Sequence, residues 1–347
     1  MVMKIHSTSK SSTQLFGELS DGNKVYYHEI SNTKGMSLKV MSYGATVIAL
    51  KKTLNNGEII DLVLGFDTLH DYIASYSLPS APYFGATVGR YAGRIAKGSF
   101  DLNGKTIVLH QNNNGNALHG GLEGFSQKVW QLEQLKTTNN PSITLTYTSP
   151  DGEEYFPGEL KVSITYTLTE ENELEIEYKA ISDSETVVNL THHSYFNLEG
   201  QQASISEQEL QINATAIVAT KDMIPTGEII PVANTDFDFT ISRSCPRSID
   251  ATFVVEAPKT LVATLFSKKN NLKMDVFTNQ PGLHVYVGGN CFDQIKGKEG
   301  ASYHQQSGIC FETQNFPDAP NHSHFPSAMV IPGDIYSHKT IYKFQSY

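Results

Sequence analysis

Between residues 129 and 179 the chain repeats one pattern, in which apolar and polar residues alternate for a strand's length and a cluster of turn residues follows. Residues 143–147, 160–168 and 174–179 carry it most clearly. A side-chain period of two sends every second residue to the same face, so each segment reads as a strand with one buried side. The same pattern recurs at 25–50, 59–64, 260–266, 272–278 and 338–344, and residues 100–109 form a hairpin pattern with Asn103-Gly104 at the tip. A strand is also expected over residues 210–218, followed by a turn at Ile224-Pro-Thr-Gly227. Residues 67–76, which offer a capping residue and a short helical pattern, are the one helical segment expected. Helix and strand never alternate along the chain, which disfavours a Rossmann fold or an α/β barrel. With no repeat, linker or low-complexity stretch, residues 1–347 read as one all-β domain.

The polar residues of this β-chain are concentrated. The run Asn189-Leu-Thr-His-His-Ser-Tyr-Phe-Asn-Leu198 holds two histidines, two asparagines and three hydroxyl side chains. If residues 187–193 are extended, Asn189, Thr191 and His193 share one face, and Val188, Leu190 and His192 the other. Buried polar side chains need partners, so the polar face is either a hydrogen-bonded ladder or the wall of a polar cleft. Further along, His284 and Tyr286 alternate with Leu283, Val285 and Val287, and Glu312 lies mid-strand on the face of Cys310. A carboxylate among apolar neighbours either pairs or becomes a base. Arg90 and Arg94 sit among glycines, where they either clamp a hydroxylated or anionic ligand or make surface salt bridges. His119 precedes Gly120 and Gly121, which leave its imidazole room to face a cavity, although a loop histidine is often merely solvated. Asp250 stands just before an apolar strand.

Composition removes several function classes. A formal net charge of -10 repels phosphate backbones and anionic headgroups, and no basic patch offsets it, so neither nucleic acid nor membrane is an expected partner. Cys245, Cys291 and Cys310 are odd in number, far apart and without a C-x-x-C pair, which argues against a disulfide framework or a zinc site. His322-Ser-His324 comes nearest to metal-ligand spacing but lies in a Pro-bounded loop read as lacking a nearby acidic ligand, and no metal is expected. A Gly-x-Ser-x-Gly elbow is absent. The start Met-Val-Met-Lys-Ile-His-Ser lacks the apolar core of a signal peptide, which leads us to expect a soluble, cytoplasmic protein.

Six blocks, taken together and in order, carry a resemblance. They are Gly89-Arg-Tyr-Ala-Gly-Arg-Ile95, Leu118-His-Gly-Gly121, Ser149-Pro-Asp-Gly-Glu-Glu, Asn189 to Leu198, Thr278-Asn-Gln-Pro-Gly282 and Phe311-Glu-Thr-Gln-Asn-Phe-Pro-Asp-Ala319. The chain resembles the aldose 1-epimerase family, the galactose mutarotases. The resemblance implies a β-supersandwich with an open cleft that interconverts the α and β anomers of galactose and related aldoses, glucose among them, without a cofactor. It implies His193 as general acid, Glu312 as general base, and Arg94, His119, Asp250 and Gln280 as residues that bind sugar hydroxyls. A monosaccharide is then the expected partner, and a monomer or weak homodimer the expected state. Three positions depart from the family pattern: His192 replaces an asparagine, Tyr155 a glycine, and His284 stands where glutamine is common. Alternation turns His192 away from His193, so a packing change is expected there, while Tyr155 and His284 bear on sugar preference. Two alternatives stay open, a non-catalytic sugar-binding or regulatory protein on the same fold and a hexose-6-phosphate 1-epimerase.

Overall fold

The computed structural model describes residues 9–256, 260–288 and 295–347; the opening residues Met1 to Ser7 and Cys291 lie outside them. Three antiparallel sheets dominate. Five strands between Lys10 and Asp61 form the first in chain order. A nine-stranded sheet runs in the order Gln131–Lys136, Ser142–Ser149, Leu160–Leu168, Glu173–Ser182, Tyr336–Ser346, Leu272–Thr278, Thr260–Ser267, Glu209–Ile212, Arg243–Ser244. A six-stranded sheet runs Tyr195–Phe196, Ile309–Gln314, Gly282–Val287, Ile249–Val254, Ala216–Lys221, Ile224–Pro231. The result is an all-β supersandwich. In Leu160–Leu168 every odd-placed side chain is buried, from Leu160 and Val162 to Leu168, as the alternation requires. Each such aliphatic side chain contributes about 1.5–3 kcal/mol by leaving water. One hydrophobic cluster draws on all three sheets and reaches from Ile30 to Phe344.

Local readings hold where the pattern is long and fail where the chain changes sheets. The hairpin of Ser99–Leu102 and Lys105–Val108 turns at Asn103 and Gly104, both at positive φ as a tight two-residue turn demands. Residues 187–193 do not form one strand. Thr186–Val187 pairs with Met329–Val330, Thr191–His192 with Thr87–Val88, and Tyr195–Phe196 with the start of Ile309–Gln314. The stretch exchanges partner every few residues, so no ladder extends. The expected strand over 210–218 likewise breaks into Glu209–Ile212 and Ala216–Lys221, in different sheets. The turn expected at residues 224–227 belongs to the strand Ile224–Pro231; the reversal falls at Asp222 and Met223, which adopt positive φ. Among the described residues the one α-helix is Leu69–Ser75. Its cap is Thr68, whose hydroxyl accepts the Asp71 N–H at 3.2 Å.

Candidate active site

The floor of a polar cleft is one face of three neighbouring strands. Register pairs Asp250 with Tyr286 and Tyr286 with Cys310; two residues on, it pairs Thr252 with His284 and His284 with Glu312. Directly opposed residues share a face, and so do residues two apart, so one polar ladder lies across Ile249–Val254, Gly282–Val287 and Ile309–Gln314. Asp250, Thr252, His284, Tyr286, Glu312 and Gln314 line the cleft, whose volume is about 510 Å³. The intervening Phe253, Leu283, Val285 and Phe311 enter the hydrophobic core. Period two thus divides each strand between chemistry and packing.

His193 enters from the stretch that changes partners. Its backbone is clamped by the bond from its N–H to Ala86 O and by the Gly85 N–H to its own carbonyl, both 3.0 Å. Asn189 and Thr191 are fully buried and do not face the cleft. The Thr191 hydroxyl donates to Thr313 O at 2.9 Å, and the Asn189 amide donates to Asn315 O while accepting from Asn315 N–H at 2.8 Å. Both alternatives left open by the sequence are therefore realised, a ladder at 189 and 191 and a site at 193. The ladder fixes the stretch to the end of the Glu312 strand. His193 Nε2 comes to lie 3.3 Å from Glu312 Oε1, with both side chains nearly buried. Glu312 Oε2 is buried without a hydrogen-bond partner among the described residues, and His193 Nδ1 lies 3.7 Å from Cys310 Sγ.

Two loops complete the walls. Arg94 lines the cleft, its Nε donating to Asn113 Oδ1 at 3.0 Å and its Nη2 pointing at Met223 Sδ, 3.7 Å away. Burial lowers its guanidinium below the usual value, and the charges of Asp250 and Glu312 oppose that. Arg90 does not reach the cleft; its guanidinium is buried and donates to Ser149, Pro150, Pro157 and Gly158, holding the acidic loop. His119 sits at positive φ, followed by Gly120 and Gly121, also at positive φ. A Cβ at Gly120 would fall 2.0 Å from Gly89 O, so the close approach of the two loops requires glycine. Asn112 ties the loop by accepting from Leu118 N–H and donating to Leu118 O and Gly121 O. The loop's other end is held by Glu154, which accepts from Leu122 N–H and Glu123 N–H and contacts His110 Nδ1 at 2.8 Å.

His119, His193 and Glu312 offer ligand atoms within 4.8 Å of one another, a constellation that no sequence spacing announced. Its chemistry nevertheless disfavours a metal. The Gly93 N–H donates to His119 Nδ1 at 3.2 Å, so the neutral ring carries its proton on Nε2 and has no lone pair there for a cation. Burial, then the neighbouring His193 and Arg94, push the imidazole well below its ordinary value, which keeps it neutral. His119 is therefore a hydrogen-bond donor aimed at the cleft. The expectation for His322-Ser-His324 needs one amendment, since Asp318 lies 3.3 Å from His322 Nε2; His324 instead meets Gly227 O.

Of the six site residues expected, His193, Glu312, Arg94, His119 and Asp250 all line the cleft. Gln280 does not. It lies in the turn before Gly282–Val287, with its side chain buried and its amide donating to Asn279 Oδ1. The strand Gly282–Val287 reaches the cleft through His284 and Tyr286 instead, which share the face of Thr252 and Glu312, whereas Gln280 precedes the strand. His284 Nε2 lies 3.2 Å from Asp250 Oδ1, and its Nδ1 lies 2.9 Å from Thr252 Oγ1. Burial alone would lower the His284 imidazole, but the Asp250 hydrogen bond and the charges of Glu312 and Asp250 carry it above its ordinary value. Burial would raise Asp250, yet His284 and Arg94 hold it below the usual carboxylate range. His192 turns from the cleft as alternation required, its Nε2 at 2.7 Å from Ser194 Oγ and its ring between Tyr166 and Tyr342. Tyr155 is exposed and packs on His110, away from the cleft lining. Thr252, Gln314, Asn112 and Asn113 were not read from the sequence as site residues; the asparagine run before Leu118 was the one available signal.

A β-supersandwich with a polar cleft defines the class of protein, and comparison gives the family. The sequence profile described as Aldose 1-epimerase matches residues 26–343, and the chain belongs to that family of isomerases. Galactose mutarotase of Sus scrofa is 39% identical over 342 residues, covering 95% of this chain and 97% of that protein. Aldose 1-epimerase of Escherichia coli strain K12 is 31% identical, over 93% of this chain and 96% of that protein. Among solved structures, a GalM/aldose epimerase homologue from C. elegans superposes with a TM-score of 0.84 at 30% identity, covering 92% of this chain and 98% of that one. Galactose 1-epimerase from Lactobacillus acidophilus gives the same TM-score at 27% identity, covering 98% and 100%.

Proposed function

We propose that this protein interconverts the α and β anomers of galactose and related aldoses, with Glu312 as base and His193 as acid. The observation that carries the reading is the 3.3 Å separation of His193 Nε2 and Glu312 Oε1 at the floor of the cleft. The reaction handles two oxygens bonded to one carbon, the anomeric hydroxyl and the ring oxygen. An acid and a base that serve both must have neighbouring functional atoms, and these do.

In the proposed mechanism the Glu312 carboxylate removes the proton of the anomeric hydroxyl. The O–H electrons form the aldehyde C=O, the bond from C1 to the ring oxygen breaks, and the His193 imidazolium protonates that oxygen through Nε2. A neutral carboxylic acid and a neutral imidazole remain. Rotation about C1–C2 presents the other carbonyl face. Closure reverses the transfers: His193 takes the hydroxyl proton as the oxygen attacks C1, and Glu312 returns its proton to the new anomeric oxygen. No proton is gained or lost over the cycle, and nothing is oxidised.

The remaining cleft groups suit a neutral polyol. Arg94 and His119 are donors and Asp250 is an acceptor, which matches the dual character of sugar hydroxyls. The pocket volume falls within the usual range for small-molecule sites, about 300–1,000 Å³. Polarimetry of freshly dissolved α-D-galactose tests the proposal. Acceleration of mutarotation over buffer is expected, and an unchanged rate refutes it. Galactose binding by titration without anomer exchange would favour a non-catalytic sugar-binding protein, and competition by glucose 6-phosphate would reveal a phosphosugar preference.

A further inference from the structure

We propose that His284 is a positioning residue that sets the acceptor strength and orientation of Asp250, and so makes sugar affinity depend on pH. The inference rests on the cleft being a sugar site. It starts from the ladder, where His284 stands between Thr252 and Glu312 on the central of three strands, with Asp250 diagonal to it. Its two ring nitrogens are both engaged by the Ile249–Val254 strand, Nε2 with Asp250 Oδ1 at 3.2 Å and Nδ1 with Thr252 Oγ1 at 2.9 Å.

This pairing survives a change of protonation. The imidazolium donates to Asp250 through Nε2 and to the Thr252 hydroxyl through Nδ1. The neutral ring keeps the Nε2–H bond, and the Thr252 hydroxyl rotates to donate to Nδ1. What changes is charge. In the charged state Asp250 takes part in a charge-assisted bond, so less of its acceptor strength is left for a sugar hydroxyl. In the neutral state Asp250 keeps the same orientation but regains that strength. An uncharged glutamine amide at this position would offer no such titration.

The groups facing His284 decide where the switch falls. Asp250 comes from one neighbouring strand and Glu312 from the other, and Tyr286 flanks it on its own strand. Arg94 opposes the carboxylates from the loop side, and His119 is neutral. The balance favours the charged ring, so loss of the proton falls above the ordinary histidine value. The sign follows. The Michaelis constant is highest at low pH, where His284 is charged, and falls as pH rises through that point.

The test combines an NMR titration with kinetics on the full chain. The imidazole C–H resonance that disappears in His284→Gln identifies His284. Its midpoint is expected above 6.5 in the unsubstituted protein and lower in Asp250→Asn, which removes the partner charge. From pH 6 to 8.5 the KM for galactose is expected to fall about three- to tenfold, and to vary less than about twofold in His284→Gln. His284→Asn serves the same comparison should the glutamine variant not fold. Parallel KM profiles with and without His284, or a midpoint at or below 6.5, overturn the inference. Absence of anomer exchange at every pH in the unsubstituted protein instead refutes the proposed activity, and the titration still judges the His284 to Asp250 pair.

Discussion

Glu312 and His193 are 119 positions apart, yet one buried oxygen and one ring nitrogen are close enough to act on the same carbon. Replacing Glu312 with Gln keeps its size and removes the proposed base. Anomer exchange by polarimetry is expected to fall about 10²–10⁴-fold, while galactose binding by calorimetry persists. A variant that retains full exchange would unseat Glu312. His119 contributes a neutral Nε2 donor, so His119→Ala is expected to raise KM about three- to tenfold, the worth of one hydrogen bond to an uncharged oxygen, with a smaller change in kcat. A collapse of kcat with KM unchanged would instead mark His119 as part of the proton transfers.

The loop that carries His119 depends on contacts made by its neighbours more than on its own sequence. Glu154 satisfies Leu122 N–H and Glu123 N–H, and burial, which would raise its carboxyl, is outweighed by His110 and these two donors. Glu154→Ala leaves both backbone groups without that acceptor. A loss of about 1–3 kcal/mol is expected in urea denaturation, together with a higher KM as His119 loses its support. Gly121 offers a second probe, since a Cβ there would lie 2.1 Å from Glu154 Oε2. Gly121→Ala should reproduce the Glu154 phenotype, and unaltered stability and KM in both would contradict this account of the loop.

Across the whole molecule, burial of neutral histidines ties stability to pH. His192 and His338 are buried, and desolvation pushes each to about 3. The unfolded chain binds a proton at each near 6.5 while the folded protein does not, so the stabilisation is complete above 6.5 and is lost as pH falls towards 3. At pH 5 each site costs about 2 kcal/mol relative to neutrality. His119 adds a loss of the same sign, whereas His284, raised by its partners, opposes it. A lower urea midpoint at pH 5 than at pH 7.5 is the expected outcome, and equal midpoints would count against it.

Sequence alone determined the class of fold, because a period of two is a local property that survives without knowledge of neighbours. Leu160–Leu168, Glu173–Ser182 and the Asn103-Gly104 hairpin needed nothing else. It also supplied five of the cleft residues, His193, Glu312, Arg94, His119 and Asp250, through the family resemblance and not through any spacing. Tertiary structure decided what spacing cannot carry. Residues 186–196 pair with three different strands in turn, so the period assumed there had no single sheet to refer to. Gln280 and His284 both lie near the cleft in sequence, but only His284 is in register with Thr252 and Glu312, and register is set by the strands on either side. Asn189 and Thr191 looked like site residues beside His193; their partners at Thr313 and Asn315 lie more than a hundred residues away, and only the folded chain brings them together.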